Sequence, residues 1–255
     1  MGLNFVVQLL GWLTGFSLFI AFLFSVLATR NLFIHKFREE IIRTKRLVFL
    51  FLTCALGFLT IAVSVSGLFN FFGLDVFPSV ADLFFLFAYS FFLVAFAFLW
   101  FKIKRLHKLH KKDVLFCFNV GFAILIWLYY LSTNVIAQSV SGLSVLGKFL
   151  IFFYPLVVSS IFFLTLIIHP LLRAGIISTP LWYVSSGVFL YFIGFMISFY
   201  YYWHPTIDVI PVIYSVLFFL SSLYFILGAF AARRTFSKSY RKTPHHLVKK
   251  LTRSV

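Results

Sequence analysis

Seven uninterrupted apolar stretches, each about 20 residues or longer, restrict the folds open to this chain more than any other feature. At 1.5 Å per residue, about 20 helical residues cross a hydrocarbon core of about 30 Å. Strands of a membrane barrel would instead alternate apolar and polar residues over about ten positions. The pattern therefore predicts an all-α fold, a polytopic membrane helical bundle with seven transmembrane helices in residues 1–232. The predicted spans are 3–28, 47–72, 79–101, 114–134, 149–168, 181–203 and 209–232.

The composition excludes the soluble alternatives. Hydrophobic residues make up 62% of the chain and charged residues 11%, and the mean hydropathy is +1.05. Soluble globular chains are about 45–50% apolar and about 25% charged. A disordered chain could not carry so much apolar surface. We interpret the 39 phenylalanines as lipid-facing and core side chains and not as a binding motif.

The distribution of basic residues predicts the orientation. Of the 22 lysines and arginines, 21 lie in the predicted loops after spans one, three and five or in the C-terminal tail, and Lys148, after span four, is the remaining one. These 21 residues fall on one side of the membrane, and Lys148 falls on the other. Because basic loops stay cytoplasmic, we expect the N-terminus outside and the C-terminus inside, with 233–255 as a basic cytoplasmic tail.

The same charge predicts the partners and the location. A net charge of +16 would suggest nucleic acid in a soluble protein, but here cytoplasmic retention of basic loops accounts for it, so no nucleic acid is expected. We expect a lipid bilayer, anionic lipid head groups at the basic cytoplasmic loops, and either a cytoplasmic signalling protein or subunits of a membrane complex. The expected location is the plasma membrane of a prokaryotic cell, as a multi-pass protein.

Ionisable residues are almost absent from the predicted spans, which removes several functions. Pumps and ion-coupled carriers need a buried carboxylate, voltage sensors need an arginine series, and retinal proteins need a lysine in the last span. Asp82, at the outer end of span three, is the only acid placed inside a span. No acid/base, nucleophile or metal-ligand constellation is present, so the sequence predicts no enzyme, catalytic residue, cofactor or metal site.

Polar residues gather at the predicted outer rim. Asp82, His204 and Asp208 lie there and could together hold a cation or an anionic head group, although Tyr and Trp in this region are also expected as an interfacial belt. Serine doublets in the last three spans and the Gly11–Gly15 step in span one are interpreted as helix-packing positions. The predicted ligand-binding residues are Asp82, Tyr89, His204 and Asp208.

The segment Pro78–Tyr89, PSVADLFFLFAY, carries a family resemblance. It resembles the opening of span three in a seven-transmembrane sensory domain family of bacterial and archaeal signalling proteins, which often precede cyclase or histidine kinase modules. The matching residues are Pro78, Ser79, Ala81, Asp82, Leu86 and Tyr89, with Phe85 in place of the usual tyrosine. In span five Tyr154 and Pro155 match the family's Tyr-Pro, but Leu156 to Ser159 lack the acid that follows it.

Ser79 and Asp82 also fit a purely structural role. A serine followed three residues later by an acid, before an apolar run, is a capping-box pattern. Ser79 would accept from the amide of residue 82, while the Asp82 carboxylate reaches back and complements the positive end of the helix. Capping alone and capping combined with ligand contact both remain open.

Three functions follow from these observations. The resemblance and the polar outer rim imply a sensory or receptor-like seven-helix module without an output domain of its own. Short loops and the lack of an obvious site are equally typical of a structural or assembly subunit of a membrane complex. A small-solute carrier or channel is the third, since hydroxyl-lined pores work without charges.

Overall fold

Helices account for the regular structure of this chain. The computed structural model describes residues 2–34, 40–74, 77–106, 111–130, 133, 144–171, 178–203 and 209–241. Within these ranges there is no β-strand, as the all-α prediction requires. The helices are α1 (Gly2–Ile34), α2 (Glu40–Phe71), α3 (Val80–Leu106), α4 (Lys111–Tyr130), α5 (Val145–Leu171), α6 (Ser178–Trp203) and α7 (Ile210–Arg241).

Six of these seven helices are long and apolar enough to cross a membrane, and α4 is the exception. The apolar stretch found among its described residues covers Gly121–Tyr130. The predicted fourth span continues to residue 134, and 134 lies outside the described residues. The chain is thus an all-α membrane bundle with six spanning helices, while the seventh span and the orientation stay predictions.

The six spanning helices form a closed ring. Going round it, α1 packs on α2, α2 on α3, α3 on α5, α5 on α6, α6 on α7, and α7 on α1. α4 lies outside this ring and packs mainly on α5. It also reaches α6, where Nε1 of Trp127 donates a hydrogen bond to Sδ of Met196 over 2.8 Å.

The ring is filled at one end only. The end of the ring at which α1, α3, α5 and α7 begin is called the cavity end. The opposite end is called the basic end, because Arg30, Arg46 and Arg233 lie there. Buried apolar side chains fill the interior towards the basic end. They include Ala28, Val48, Phe49, Ala95, Phe96, Ile168, Leu181 and Ala232.

Hydroxyl groups join α1 to α2 inside this core. The Thr53 hydroxyl lies 2.6 Å from the Ser25 hydroxyl and 2.8 Å from the Thr29 hydroxyl. It also donates to the carbonyl of Phe49 over 2.7 Å. Since a hydroxyl has one hydrogen and two lone pairs, Thr53 accepts from both α1 side chains. Such bonds hold helices together where burial of apolar surface gives no advantage over lipid.

Glycines bring α6 and α7 close together. A Cβ atom on Gly228 of α7 would lie 2.7 Å from Cγ2 of Val184 and 3.1 Å from the carbonyl oxygen of Pro180, both on α6. A Cβ on Gly187 of α6 would lie 3.1 Å from the carbonyl oxygen of Ser221. The Ser221 hydroxyl in turn donates to the Gly187 carbonyl over 2.8 Å. Small residues therefore set this helix spacing, as is usual in membrane bundles.

Candidate ligand-binding cavity

A cavity of about 660 Å³ occupies the half of the ring that the core leaves unfilled. Ligand sites in proteins typically enclose about 300–1,000 Å³, so this one has room for a small organic molecule. All six ring helices contribute to its wall. The lining residues include Gln8, Gly11, Trp12 and Phe16 on α1, Thr60, Gly67 and Asn70 on α2, Asp82, Phe85 and Tyr89 on α3, Tyr154 on α5, Tyr191, Phe195 and Ser198 on α6, and Tyr214, Phe218 and Phe225 on α7.

Asp82 enters the cavity from the first turn of α3. Its Oδ2 accepts hydrogen bonds from the Ser79 backbone N–H at 2.6 Å and from the Ser79 hydroxyl at 3.1 Å. The Asp82 amide donates to the Ser79 carbonyl at 3.1 Å. The carboxylate thus reaches back as a capping box requires. The serine hydroxyl differs from the expected arrangement, because it donates to the carboxylate while the serine carbonyl accepts from the amide.

Tyr154 joins this carboxylate to α5. Its hydroxyl lies 2.8 Å from Oδ1 of Asp82 and 3.1 Å from the Asp82 carbonyl oxygen, so its one hydrogen is directed at both acceptors. Only 7% of Tyr154 is exposed. Both oxygens of Asp82 therefore accept hydrogen bonds from neutral donors.

A second tyrosine pair continues the polar wall. The hydroxyls of Tyr89 on α3 and Tyr191 on α6 lie 2.6 Å apart. The Tyr89 ring packs edge-to-face on Tyr154, with centroids 5.8 Å apart, and on Tyr191, with centroids 6.1 Å apart. One hydroxyl of the pair donates to the other, which leaves one O–H with no acceptor among the described residues. The wall thus offers a spare donor beside the carboxylate.

The opposite wall, formed by α1 and α2, is more open. A Cβ atom added to Gly11 or to Gly67 would find nothing within 4 Å, and one added to Gly15 would meet only Val63, at 3.8 Å. The Gly11–Gly15 step therefore lines the cavity and does not form the close helix crossing that its spacing suggested. Trp12 and Phe16 of α1 also line the cavity, and their exposed fractions are 53% and 65%.

The structure assembles part of the predicted site. Asp82 and Tyr89 line one cavity, and Tyr154, predicted as a structural motif residue, is the direct partner of Asp82. Pro155 follows it with its side chain buried in α5, and Pro78 ends a cis Phe77–Pro78 peptide bond ahead of α3. His204 and Asp208 lie outside the described residues.

Tyr191 is the residue that sequence reasoning missed. It is one of 12 tyrosines, and its neighbours in α6 are apolar or aromatic on every side, so no local pattern sets it apart. A usable signal was present in its depth, because a tyrosine several turns from either helix end is too far from the interface to belong to an aromatic belt.

No metal centre is formed by the part of the chain that the structure describes, since no three His, Cys, Asp or Glu side chains come together there. Comparison of the chain with protein-family models, with curated proteins and with solved structures finds no match. The class of protein therefore follows from the helices and the cavity alone. Six apolar helices closed into a ring make this chain an integral membrane protein with a cavity between its spanning helices.

Proposed function

We propose that this protein is a receptor-like sensory module of the membrane, which binds a small molecule in the cavity of its helix ring. The single observation that carries the proposal is the cavity itself: all six spanning helices line it, and a carboxylate and three tyrosine hydroxyls lie in one wall. A largely apolar pocket with a few convergent polar groups is the usual form of a small-molecule site. The resemblance of Pro78–Tyr89 to sensory domains supports the same function.

Helix α7 offers the route by which binding reaches the other side of the membrane. It lines the cavity with Tyr214, Phe218 and Phe225 and continues without interruption to Arg233 and Arg234 at the basic end. A ligand that displaces the first turns of α7 also displaces these arginines, because a helix moves as a unit. With the N-terminus outside, the basic end meets anionic lipid head groups and a cytoplasmic signalling partner.

The test is a thermal-shift screen of small molecules on the purified protein, with two variants that separate cavity binding from other binding. A ligand that binds only the folded state raises the unfolding temperature. Gly67→Phe places a large side chain where the cavity is open. Leu68→Phe, at the next residue, adds a ring at a position that is 45% exposed outside the cavity. Compounds of the proposed kind stabilise the native chain and Leu68→Phe but not Gly67→Phe.

A second measurement separates a receptor from a carrier. A fluorophore attached at Arg234→Cys, after removal of Cys54 and Cys117, reports movement at the basic end. Receptor function requires that a cavity-binding compound changes its signal without being accumulated by liposomes that contain the protein. Accumulation of the compound would show a carrier, and hits that stabilise Gly67→Phe as well would remove the cavity from the function.

An assembly subunit is the second candidate, and α4 is the observation that favours it. Outside the ring, α4 exposes a row of large side chains that are each more than half accessible. They are Leu115, Phe118, Phe122, Leu125, Ile126 and Tyr129. Asn119 is exposed among them, and amide side chains associate membrane helices by hydrogen bonding. Stable co-purification of a partner that Asn119→Leu abolishes would establish this role.

A further inference from the structure

The ligand class follows from the charge inside the cavity. Of the described residues that line it, Asp82 is the only one with a formal charge, and no Lys, Arg or His accompanies it. The donors that surround Asp82 come from Ser79 and Tyr154, and all of them are neutral. Neutral donors stabilise a carboxylate without cancelling its charge. The empty space beside Asp82 therefore lies in a negative potential that no described side chain compensates.

Aromatic rings surround the same space. Tyr89 is the centre of the group, with centroid distances of 5.9 Å to Phe85, 5.8 Å to Tyr154 and 6.1 Å to Tyr191. The group extends to Phe218, whose ring centroid is 5.0 Å from that of Tyr191. The face of an aromatic ring attracts a cation within about 6 Å of its centroid. A carboxylate among several aromatic side chains that line the same cavity favours an organic cation, by its charge and by the aromatic surface around it.

The rest of the cavity determines what the cation carries. Its other lining side chains are apolar or hydroxyl-bearing apart from the amides Gln8 and Asn70, and a site of about 660 Å³ is far larger than an inorganic ion needs. Resting on the proposed function, we infer that the ligand is an amphipathic organic cation, with its charged group beside Asp82 and its apolar groups towards α1 and α7.

Two probes of one shape and opposite charge test this inference. Tetraphenylphosphonium and tetraphenylborate are both tetraphenyl ions, and they differ in the sign of the charge. Binding is measured by equilibrium dialysis to the full-length protein in zwitterionic phosphatidylcholine nanodiscs, with empty nanodiscs subtracted. Only the binding that Gly67→Phe removes and Leu68→Phe retains counts as cavity binding. The net charge of +16 favours the anion everywhere else on the protein, so preference for the cation identifies the cavity.

The expected result is saturable cavity binding of the phosphonium, with the borate bound roughly tenfold more weakly or not at all. Asp82→Asn should weaken phosphonium binding roughly ten- to hundredfold, the range for a lost contact with a charged group. A second pair leaves Asp82 intact in case its substitution disturbs folding. Gln8 lines the cavity and is exposed, so Gln8→Glu should tighten phosphonium binding and Gln8→Lys should weaken it.

Other results overturn one conclusion or both. Equal cavity binding of the two ions would refute cation selection and leave the proposed function standing. If the phosphonium does not bind the cavity while neutral compounds from the thermal-shift screen do, cation selection is likewise refuted and the proposed function stands. Phosphonium binding that Gly67→Phe leaves unchanged would place the site outside the cavity and, if no other compound binds the cavity, would remove the proposed function as well.

Discussion

The hydroxyl of Tyr154 on α5 lies 2.8 Å from Oδ1 of Asp82, and this contact joins α5 to the first turn of α3. In this hydrogen bond between the two helices, the acceptor is a carboxylate. We expect Tyr154→Phe to lower the free energy of unfolding by about 1–2 kcal/mol, the upper range for hydrogen bonds within membrane bundles, because the acceptor is charged. Unfolding in mixed micelles measures it. Tyr129→Phe, at a side chain that is 72% exposed, is the control and should leave the free energy of unfolding unchanged. Equal effects of the two substitutions would show that the Tyr154–Asp82 hydrogen bond does not stabilise the fold.

The Thr53 hydroxyl should matter more than a buried threonine hydroxyl usually does. Thr53→Val keeps the shape but leaves Ser25 without this acceptor and Thr29 with only the Phe49 carbonyl, 3.4 Å away, so we expect a loss of about 1–3 kcal/mol in the free energy of unfolding. Thr165→Val is the matched control. Thr165 is also buried, and its hydroxyl donates only to the carbonyl of Ile161 in its own helix. If the two variants unfold alike, the hydroxyl cluster does not hold α1 to α2.

Replacing two glycines by alanine should change the free energy of unfolding in opposite directions. Gly228→Ala places a methyl group 2.7 Å from Val184 and close to the α6 backbone, so we expect a loss of about 1–3 kcal/mol from overpacking. Gly11→Ala meets nothing within 4 Å, and removal of glycine flexibility should stabilise α1 by about 0.4–1 kcal/mol. Thermal unfolding of both variants in one detergent compares them. A stabilising Gly228→Ala would contradict the close packing of α6 and α7.

Two fully buried serines provide a similar contrast. The Ser221 hydroxyl donates to the Gly187 carbonyl across the α6–α7 contact, whereas the Ser159 hydroxyl has no hydrogen-bond partner within the described ranges of the chain. We expect Ser221→Ala to cost about 0.6 kcal/mol, the average for such bonds in a membrane bundle. Ser159→Ala should be neutral or stabilising, because it removes an unsatisfied polar group. A large loss for Ser159→Ala would mean that its hydroxyl is bonded after all.

The orientation can be tested with a single cysteine. After Cys54 and Cys117 are replaced, Ser254→Cys should stay unlabelled by a membrane-impermeant maleimide in intact cells and react once the cells are opened, since basic segments remain cytoplasmic. A cysteine at Leu3, near the start of α1, is the matched position for the opposite side and should react in intact cells. Labelling of residue 254 from outside would reverse the assignment of both ends.

The spanning helices and part of the cavity wall could be predicted from the sequence. Long apolar runs identify spanning helices because each run reports on its own length, and Asp82 stood out because an acid inside a span is rare. The contacts of Asp82 and Tyr89 with other helices could not be predicted in this way. Tyr154 and Tyr191 meet α3 through the order of helices in the ring, which depends on contacts between helices distant in the chain. The same reason explains Gly11 and Gly15, whose spacing fits a close crossing although they line a cavity.

The contact between α1 and α7 has a consequence for biosynthesis. The first and the last helix of the described chain are neighbours, and both line the cavity. During synthesis α1 enters the membrane long before α7 has been made, so its inner face has only α2 to cover it in the meantime. The cavity with all six of its walls therefore cannot exist on any nascent chain that ends before Ile210, the first residue of α7.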